Sequence, residues 1–192
     1  MNCAQCKQEP QNRCVKECFD CTGGKELPNE YLKSENKSLH NITMTLQKEY
    51  GNNLSRLDEI IKFLQIMQWN RVGIAFCYSL ANEAEELSKI LEKYFIIESV
   101  CCKVGGHTVD DFKSESITSD SPCVVCDPVS QAQILNRAKV DINIELGLCI
   151  GHDILFQKYS EAPVTVLAVK DRIFSHNPLE AIYSWNKDDN IK

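Results

Sequence analysis

The stretch that decides the fold is Arg71-Val72-Gly73-Ile74-Ala75-Phe76-Cys77. Between its arginine and its cysteine lie five uncharged residues, too few for a helix of ordinary length. Such a short apolar run is the pattern of a strand buried on both faces. A strand–helix rhythm follows it. Leu80, Ala84, Leu87 and Leu91 fall on one face of a helix expected from Ala81 to Tyr94, and Phe95 to Cys102 reads as a second strand. Pro128 marks a helix start, and Val129, Ala132, Leu135 and Ala138 carry that helix. Asp141 to Cys149 is strand-like, Gly151 to Tyr159 a short helix, and Val164 to Lys170 the fourth strand. Asn177-Pro178 reads as a cap followed by proline at the first helical position, leading into Leu179 to Trp185. Such alternation predicts a three-layer α/β fold, an open, mostly parallel four-stranded sheet with helices on both faces. Right-handed crossovers most simply give the order 2-1-3-4.

Working outward, residues 70–192 are expected to form this α/β domain and residues 25–69 a helical segment packed on it. Leu39, Ile42, Thr43, Leu46 and Tyr50 have helical spacing and end at Gly51-Asn52-Asn53. Ser55 and Asp58 then resemble a capping box, with Leu57, Ile60, Ile61 and Leu64 continuing to about Trp69. Residues 1–24 are different. They hold Cys3, Cys6, Cys14, Cys18 and Cys21 with almost no aliphatic residue, so a hydrophobic core cannot order them.

Eleven cysteines in 192 residues exceed what packing needs, and a chain of this length folds without disulfide stapling. The start shows no basic region followed by an apolar stretch, and no run approaches a membrane span. A cytoplasmic setting is therefore expected, where thiols stay reduced and crowded cysteines point to metal or chemistry. The net charge of −6 carries no basic footprint for nucleic acid. A small-molecule or redox partner is expected instead, and oligomeric state is left open.

In the amino-terminal head, Cys3-x-x-Cys6 can supply two corners of a tetrahedral ion, and Cys14, Cys18 and Cys21 the rest. Zinc held by Cys3, Cys6, Cys14 and Cys21 is the expectation, with Cys18 the alternative ligand. Apparent binding energies of about 10–16 kcal/mol would order a coreless segment. The Cys14-x-x-x-Cys18-x-x-Cys21 spacing also matches the radical S-adenosylmethionine motif. That reading fails on the short chain, the few strands and the absence of an aromatic residue immediately before the last cysteine.

Four further cysteines fall near the carboxyl edge of the expected sheet, where open α/β folds build their sites. Cys77, Cys102, Cys126 and Cys149 are the candidates for a second site, an iron–sulfur cluster or second metal. Cys101 and Cys123 read as packing. Around Cys149, Gly147 and Gly151 allow close backbone approach to a cofactor, as do Gly105 and Gly106 in the loop over residues 103–122. His152 and Asp153 open a helix whose free N–H groups could hold an anion or a cluster sulfide. His152 could serve as ligand, proton donor or hydrogen-bonded neighbour; Asp153 suits the helix dipole. Lys170-Asp171-Arg172 and His176 read as a solvated charged turn. The rival reading is a metal-free thiol enzyme, with Cys149 as nucleophile, His152 as acid–base group and the helix start as anion hole. A third is an interaction module with structural cysteines. Whether the chain is an enzyme is left open.

Several segments together resemble a known prokaryotic family, the domain of unknown function 1847. They are Gly73-Ile74-Ala75-Phe76-Cys77, Val100-Cys101-Cys102-Lys103-Val104-Gly105-Gly106 and Cys126-Asp127-Pro128-Val129-Ser130-Gln131-Ala132, with Glu161-Ala162-Pro163-Val164-Thr165, Val169-Lys170-Asp171-Arg172 and His176-Asn177-Pro178. Most specific is Gly147-Leu148-Cys149-Ile150-Gly151-His152-Asp153. The resemblance covers most of residues 1–185. It implies a cysteine-rich, metal-binding head on an α/β domain, in a family frequent in anaerobes, and it implies no particular reaction.

Overall fold

The structure, a computed structural model, describes residues 2–24, 26–113 and 124–185. Cys123 and the end of the loop over residues 103–122 lie outside the described residues. The chain divides into two compact units, Met1–Met44 and Thr45–Lys192. In the first, helix α1 (Arg13–Lys16) is a single turn, and helix α2 (Ser34–Tyr50) begins there and runs across the division. None of residues 2–24 is buried. Local contacts order this segment instead: Arg13 pairs with Glu17 at 2.6 Å, and its guanidinium lies 4.4 Å from the centre of the Phe19 ring.

The second unit contains α3 (Arg56–Met67), β1 (Arg71–Phe76), α4 (Ala81–Leu91), β2 (Ile96–Cys101) and α5 (Pro128–Arg137). It continues with β3 (Ile142–Leu146), α6 (His152–Tyr159), β4 (Val164–Ala168) and α7 (Leu179–Tyr183). The four strands form one parallel sheet in the order β2-β1-β3-β4, as expected from the alternation. Side chains alternate across it. Val72, Ile74, Ile142, Ile144 and Leu146 pack on one face against Ile60 and Leu64 of α3 and Ala84, Leu87 and Leu91 of α4. Ala75 and Val100 pack on the other against Ala132 and Leu135 of α5 and Phe156 of α6. Among the described residues no helix is long and apolar enough to cross a membrane.

Local chemistry sets the element ends. Ser55 caps α3 by accepting the Asp58 N–H, while Asp58 takes the Ser55 hydroxyl rather than the backbone N–H of a full capping box. Asp127 caps α5 by accepting the Ser130 N–H at 2.9 Å, with Pro128 in the first helical position. Several boundaries differ from the sequence reading. β3 stops at Leu146, where Gly147 turns the chain at φ +63°, so Cys149 lies three residues beyond the strand. β4 stops at Ala168, which places Lys170 in the following turn. Pro178 caps α7 rather than opening it, and the helix ends at Tyr183 rather than Trp185.

Gly73 shows how closely the second face is packed. A Cβ there would overlap Asn143 Oδ1 and come within 3.2 Å of Leu135 Cδ2. Asn143 is fully buried and donates through Nδ2 to Ser160 Oγ at 2.8 Å, so it has little freedom to withdraw. Gly73→Ala is therefore expected to cost about 1–3 kcal/mol by overpacking, read as a lowered urea midpoint. An unchanged midpoint would contradict this account of the strand.

Candidate functional site at the carboxyl edge of the sheet

Because β1, β2 and β3 run parallel, their carboxyl ends come out together, and backbone bonds tie those ends to the flanking loops. Cys77 N–H donates to Leu146 O, Cys102 N–H to Phe76 O, and Asp127 N–H to Cys102 O at 2.7 Å. Gln131 of α5 clamps the same ends, its Nε2 donating to Phe76 O and Val100 O. Three thiols are gathered as a result. Cys126 Sγ lies 3.5 Å from Cys102 Sγ in a thiol–thiol hydrogen bond, and Cys102 is near enough to Cys77 to be the largest influence on its ionisation. Cys77 and Cys102 are buried, and Cys126 and Cys149 are half-buried. Cys149 lies near enough for its charge to act on Cys126. Cys101 packs against the α5/α6 core cluster, as expected.

The trio cannot ionise as independent thiols. The hydrogen bond from Cys102 is the largest influence on Cys77, and it holds that thiol far below the ordinary range, to about 4. Hydrogen bonds from Ser79 and Lys170 add to it, against desolvation. Cys102 is pushed up, first by hydrogen bonding to Cys77, in which it keeps its proton, and then by burial, with the Tyr78 N–H on its sulfur at 3.3 Å acting the other way. Burial is the main reason that Cys126 is raised as well. One thiolate with two protonated neighbours is what a low-dielectric site permits when like charges would otherwise crowd.

Cations surround the sulfurs. Lys170 Nζ donates to Ser79 Oγ, which lies 3.4 Å from Cys77 Sγ. Arg172 Nη2 donates to Cys149 Sγ at 3.3 Å. The Lys170–Arg172 segment is a largely solvated turn, as expected from sequence, but both cations also reach back to the cysteine edge. Lys103 lies over the Tyr78 ring and lowers the Cys126 thiol slightly against the trend. Across the cleft, Asp127 presents its second carboxylate oxygen to His107 Nε2 at 3.3 Å, and Asp111 lies 3.9 Å from His107 Nδ1. Gly105 makes this possible, since a Cβ there would sit 2.5 Å from His107 Cδ2 and 2.6 Å from Asp127 Oδ2. Its role is thus steric relief for a His–Asp pair, whereas Gly106 and Gly151 have left-handed backbone and open space beside them. Reasoning from sequence missed His107, Asp127, Ser79 and the two cations. Only Asp127 carried a local signal, the Asp-Pro pair at a helix start.

The start of α6 is already satisfied. His152 and Asp153 N–H groups donate to Cys149 O, and Ile154 N–H donates to the Asp153 carboxylate. Cys149 takes its hydrogen bond from Arg172 rather than from His152, and His152 Nδ1 is buried with no partner among the described residues. Further along the α6 face of β3, the buried Glu145 accepts from Gln157 Nε2 at 2.8 Å. Desolvation raises its pKa, and the Asp153 charge adds to that while Gln157 opposes it. A carboxyl raised in the folded state contributes its stability below the unfolded value of about 4.3 and loses it as pH climbs through the folded value. Glu145→Gln should therefore match the parent near pH 4 and exceed it in stability at neutral pH. Denaturant melts at the two pH values read this out, and an equal gap at both would refute it.

In the amino-terminal unit, a cleft of about 630 Å³ is lined by Cys3, Cys6, Cys14 and Cys21, and Cys18 is not part of its wall. Burial, then hydrogen bonding to Cys14 and the charges of Cys3 and Cys6, raise the Cys21 thiol. The Asn12 N–H at 3.4 Å from Cys6 Sγ is the main influence lowering Cys6. Cys18 is exposed, at a left-handed φ of +52°. All ten described cysteines are free thiols. Among the described residues, no group of three or more His, Cys, Asp or Glu side chains is arranged to hold a metal ion.

Comparison with known proteins bears out the family resemblance. An uncharacterised protein of Methanocaldococcus jannaschii, MJ0455, is 44% identical over 189 residues, spanning 96% of this chain and 94% of that protein. No solved structure matches. Residues 19–167 match the family described as a protein of unknown function, DUF1847. With half of the chain and more inside that match, the protein belongs to the domain of unknown function 1847 family.

Proposed function

We propose that the chain is a cysteine metalloprotein with two separate sites, a zinc site in the head and an iron–sulfur cluster or second metal at the sheet edge. The observation that carries this reading is the gathering of Cys77, Cys102 and Cys126 where the strand ends are tied together, with Cys126 Sγ 3.5 Å from Cys102 Sγ. Thiolate is the ligand form, and N–H donors on sulfur, like Tyr78 on Cys102, commonly support metal-bound thiolates. A zinc–sulfur bond of about 2.3 Å puts the sulfurs of a tetrahedron about 3.8 Å apart. The Cys102–Cys126 separation of 3.5 Å is close to that edge. Cys77, Cys102, Cys126 and Cys149 would hold the edge metal, and Cys3, Cys6, Cys14 and Cys21 the zinc. Four protein ligands close a site, so the chemistry supplied would be structural or electron transfer rather than Lewis-acid catalysis. A small-molecule or redox partner and a cytoplasmic setting belong to the same reading. The chain's own residues keep the edge ready. Gln131 clamps the strand ends, Tyr78 and Ser79 donate to the sulfurs, and helix-capped Asp127 anchors His107 beside them.

The thiol-enzyme alternative is less well supported. Cys149 has no hydrogen bond to His152 among those described, and the first N–H groups of α6 are taken by Cys149 O and Asp153.

Elemental analysis of full-length protein purified without oxygen tests the proposal. The expected result is about one zinc per chain from the head, together with iron and sulfide, or a second metal, from the edge. Cys14→Ser should lose only the head metal and Cys126→Ser only the edge metal. Cys18→Ser should keep both. Protein that retains no metal, and takes up none from zinc or iron salts under reduction, would overturn the reading.

A further inference from the structure

Lys170 and Arg172 lie outside any set of metal ligands, yet both reach the cysteine edge from one turn, Arg172 at Cys149 Sγ and Lys170 at the Ser79 hydroxyl beside Cys77. We infer that they are the charge partners of the sheet-edge thiolates, and that the turn between β4 and α7 is built to hold them there. The inference rests on the metal reading of this edge and adds to it how the site's charge is balanced.

The charge arithmetic is simple. Four thiolates around a dication leave two negative charges in a partly buried site, and unpaired charge there is costly. Two cations aimed at the sulfurs offset them. Arg172 Nη2 reaches Cys149 Sγ directly at 3.3 Å. Lys170 donates to Ser79 Oγ, which itself lies 3.4 Å from Cys77 Sγ. Cys149 and Cys77 thus each have a cation at hand, both delivered from a single segment.

The turn pays for this geometry in backbone conformation. Ser175 and His176 are consecutive non-glycine residues at φ +49° and +66°. Such residues keep left-handed backbone only where their surroundings enforce it. The enforcing contacts are present. His176 Nδ1 lies 3.2 Å from the Asp171 N–H and 2.9 Å from Val169 O, so either ring tautomer bonds the backbone that flanks Lys170. Asp171 Oδ1 accepts from the Ile173 and Phe174 N–H groups at 2.9 Å each, closing the turn around Arg172. A charged turn serving only solubility has no need of two strained residues and a histidine tether. Lys170, Asp171, Arg172 and His176 form one device, in which Lys170 and Arg172 act on the thiolates and His176 and Asp171 position them.

Cobalt titration of the full-length, reduced protein tests this, because thiolate-to-cobalt charge transfer reports sulfur ligation directly. The edge signal is the part lost in Cys126→Ser. Removal of an outer partner commonly costs about 10–100-fold in metal affinity, and that loss is expected at the edge for Arg172→Met and for Lys170→Met. Arg172→Lys should recover much of it. His176→Ala, which keeps both cations but releases the turn, should weaken the edge in the same direction. Head affinity should stay at the parent value throughout, and metal-free melts of these surface variants should match the parent. Edge affinities equal to the parent in both methionine variants would overturn the charge-partner role and leave the metal reading standing. A parent chain with no edge charge transfer at all would overturn both.

Discussion

Parallel pairing of β1 with β2 on one side and β3 on the other is the constraint from which the rest of the second unit follows. A strand paired on both sides and covered on both faces has no exposed surface for polar side chains, which is why Val72 to Ala75 are buried without interruption. Parallel neighbours cannot be joined by hairpins, so every connection crosses a face as a helix and every strand finishes at the same edge. Residues placed just after a strand end are then brought together whatever their separation in sequence. Cys77 and Cys102 meet for that reason, and Cys126 joins them from just before α5, where the Asp127 N–H bonds Cys102 O.

The same constraint explains what could be read in advance. Strand order, helix faces and the convergence of the edge cysteines depend on burial and chain direction, and both leave periodic marks in sequence. The Lys170–Arg172 turn left no such mark. Its reach depends on left-handed backbone at Ser175 and His176, residue types that ordinarily avoid it, and on a side-chain tether to backbone atoms five and seven residues away. The His107–Asp127 pair was hidden for a similar reason. It joins a loop to a helix cap across 20 positions and depends on the missing Cβ of Gly105. The polar positions Asn143 and Glu145 of β3 also broke the expected pattern. A fully buried strand should be apolar; Glu145 is accommodated by accepting from Gln157, whereas Asn143 donates to Ser160 Oγ and leaves its Oδ1 buried without a partner among the described residues.

The two cysteine groups are held by different physics. At the sheet edge, the positions of Cys77 and Cys102 are consequences of a hydrophobic core and a backbone ladder, so the sulfurs are brought together by the fold itself. In residues 2–24 nothing is buried, and the four cysteines that share a cleft are held by a few local hydrogen bonds and the Arg13 contacts. The proposed metals would therefore have unequal consequences. A metal in the head would supply most of the order of its segment, because binding free energy there is folding free energy. A metal at the edge would enter a site that the sheet has already assembled.

That preassembly has an electrostatic cost, and the cysteine edge carries the marks of it. Thiols forced this close cannot all lose their protons, and the shifts run opposite ways, with Cys77 lowered by its Cys102 neighbour and Cys102 raised. Any metal that draws Cys102 and Cys126 in as thiolates must displace those protons and leave more negative charge behind. A sheet edge with sulfurs alone would resist that step. One in which Lys170 and Arg172 already stand against Cys77 and Cys149 has the compensating charge in place before the protons leave. If the edge holds a metal, the cations offset the charge that those protons leave behind, and the shape of the turn that carries them then bears on the thiol chemistry.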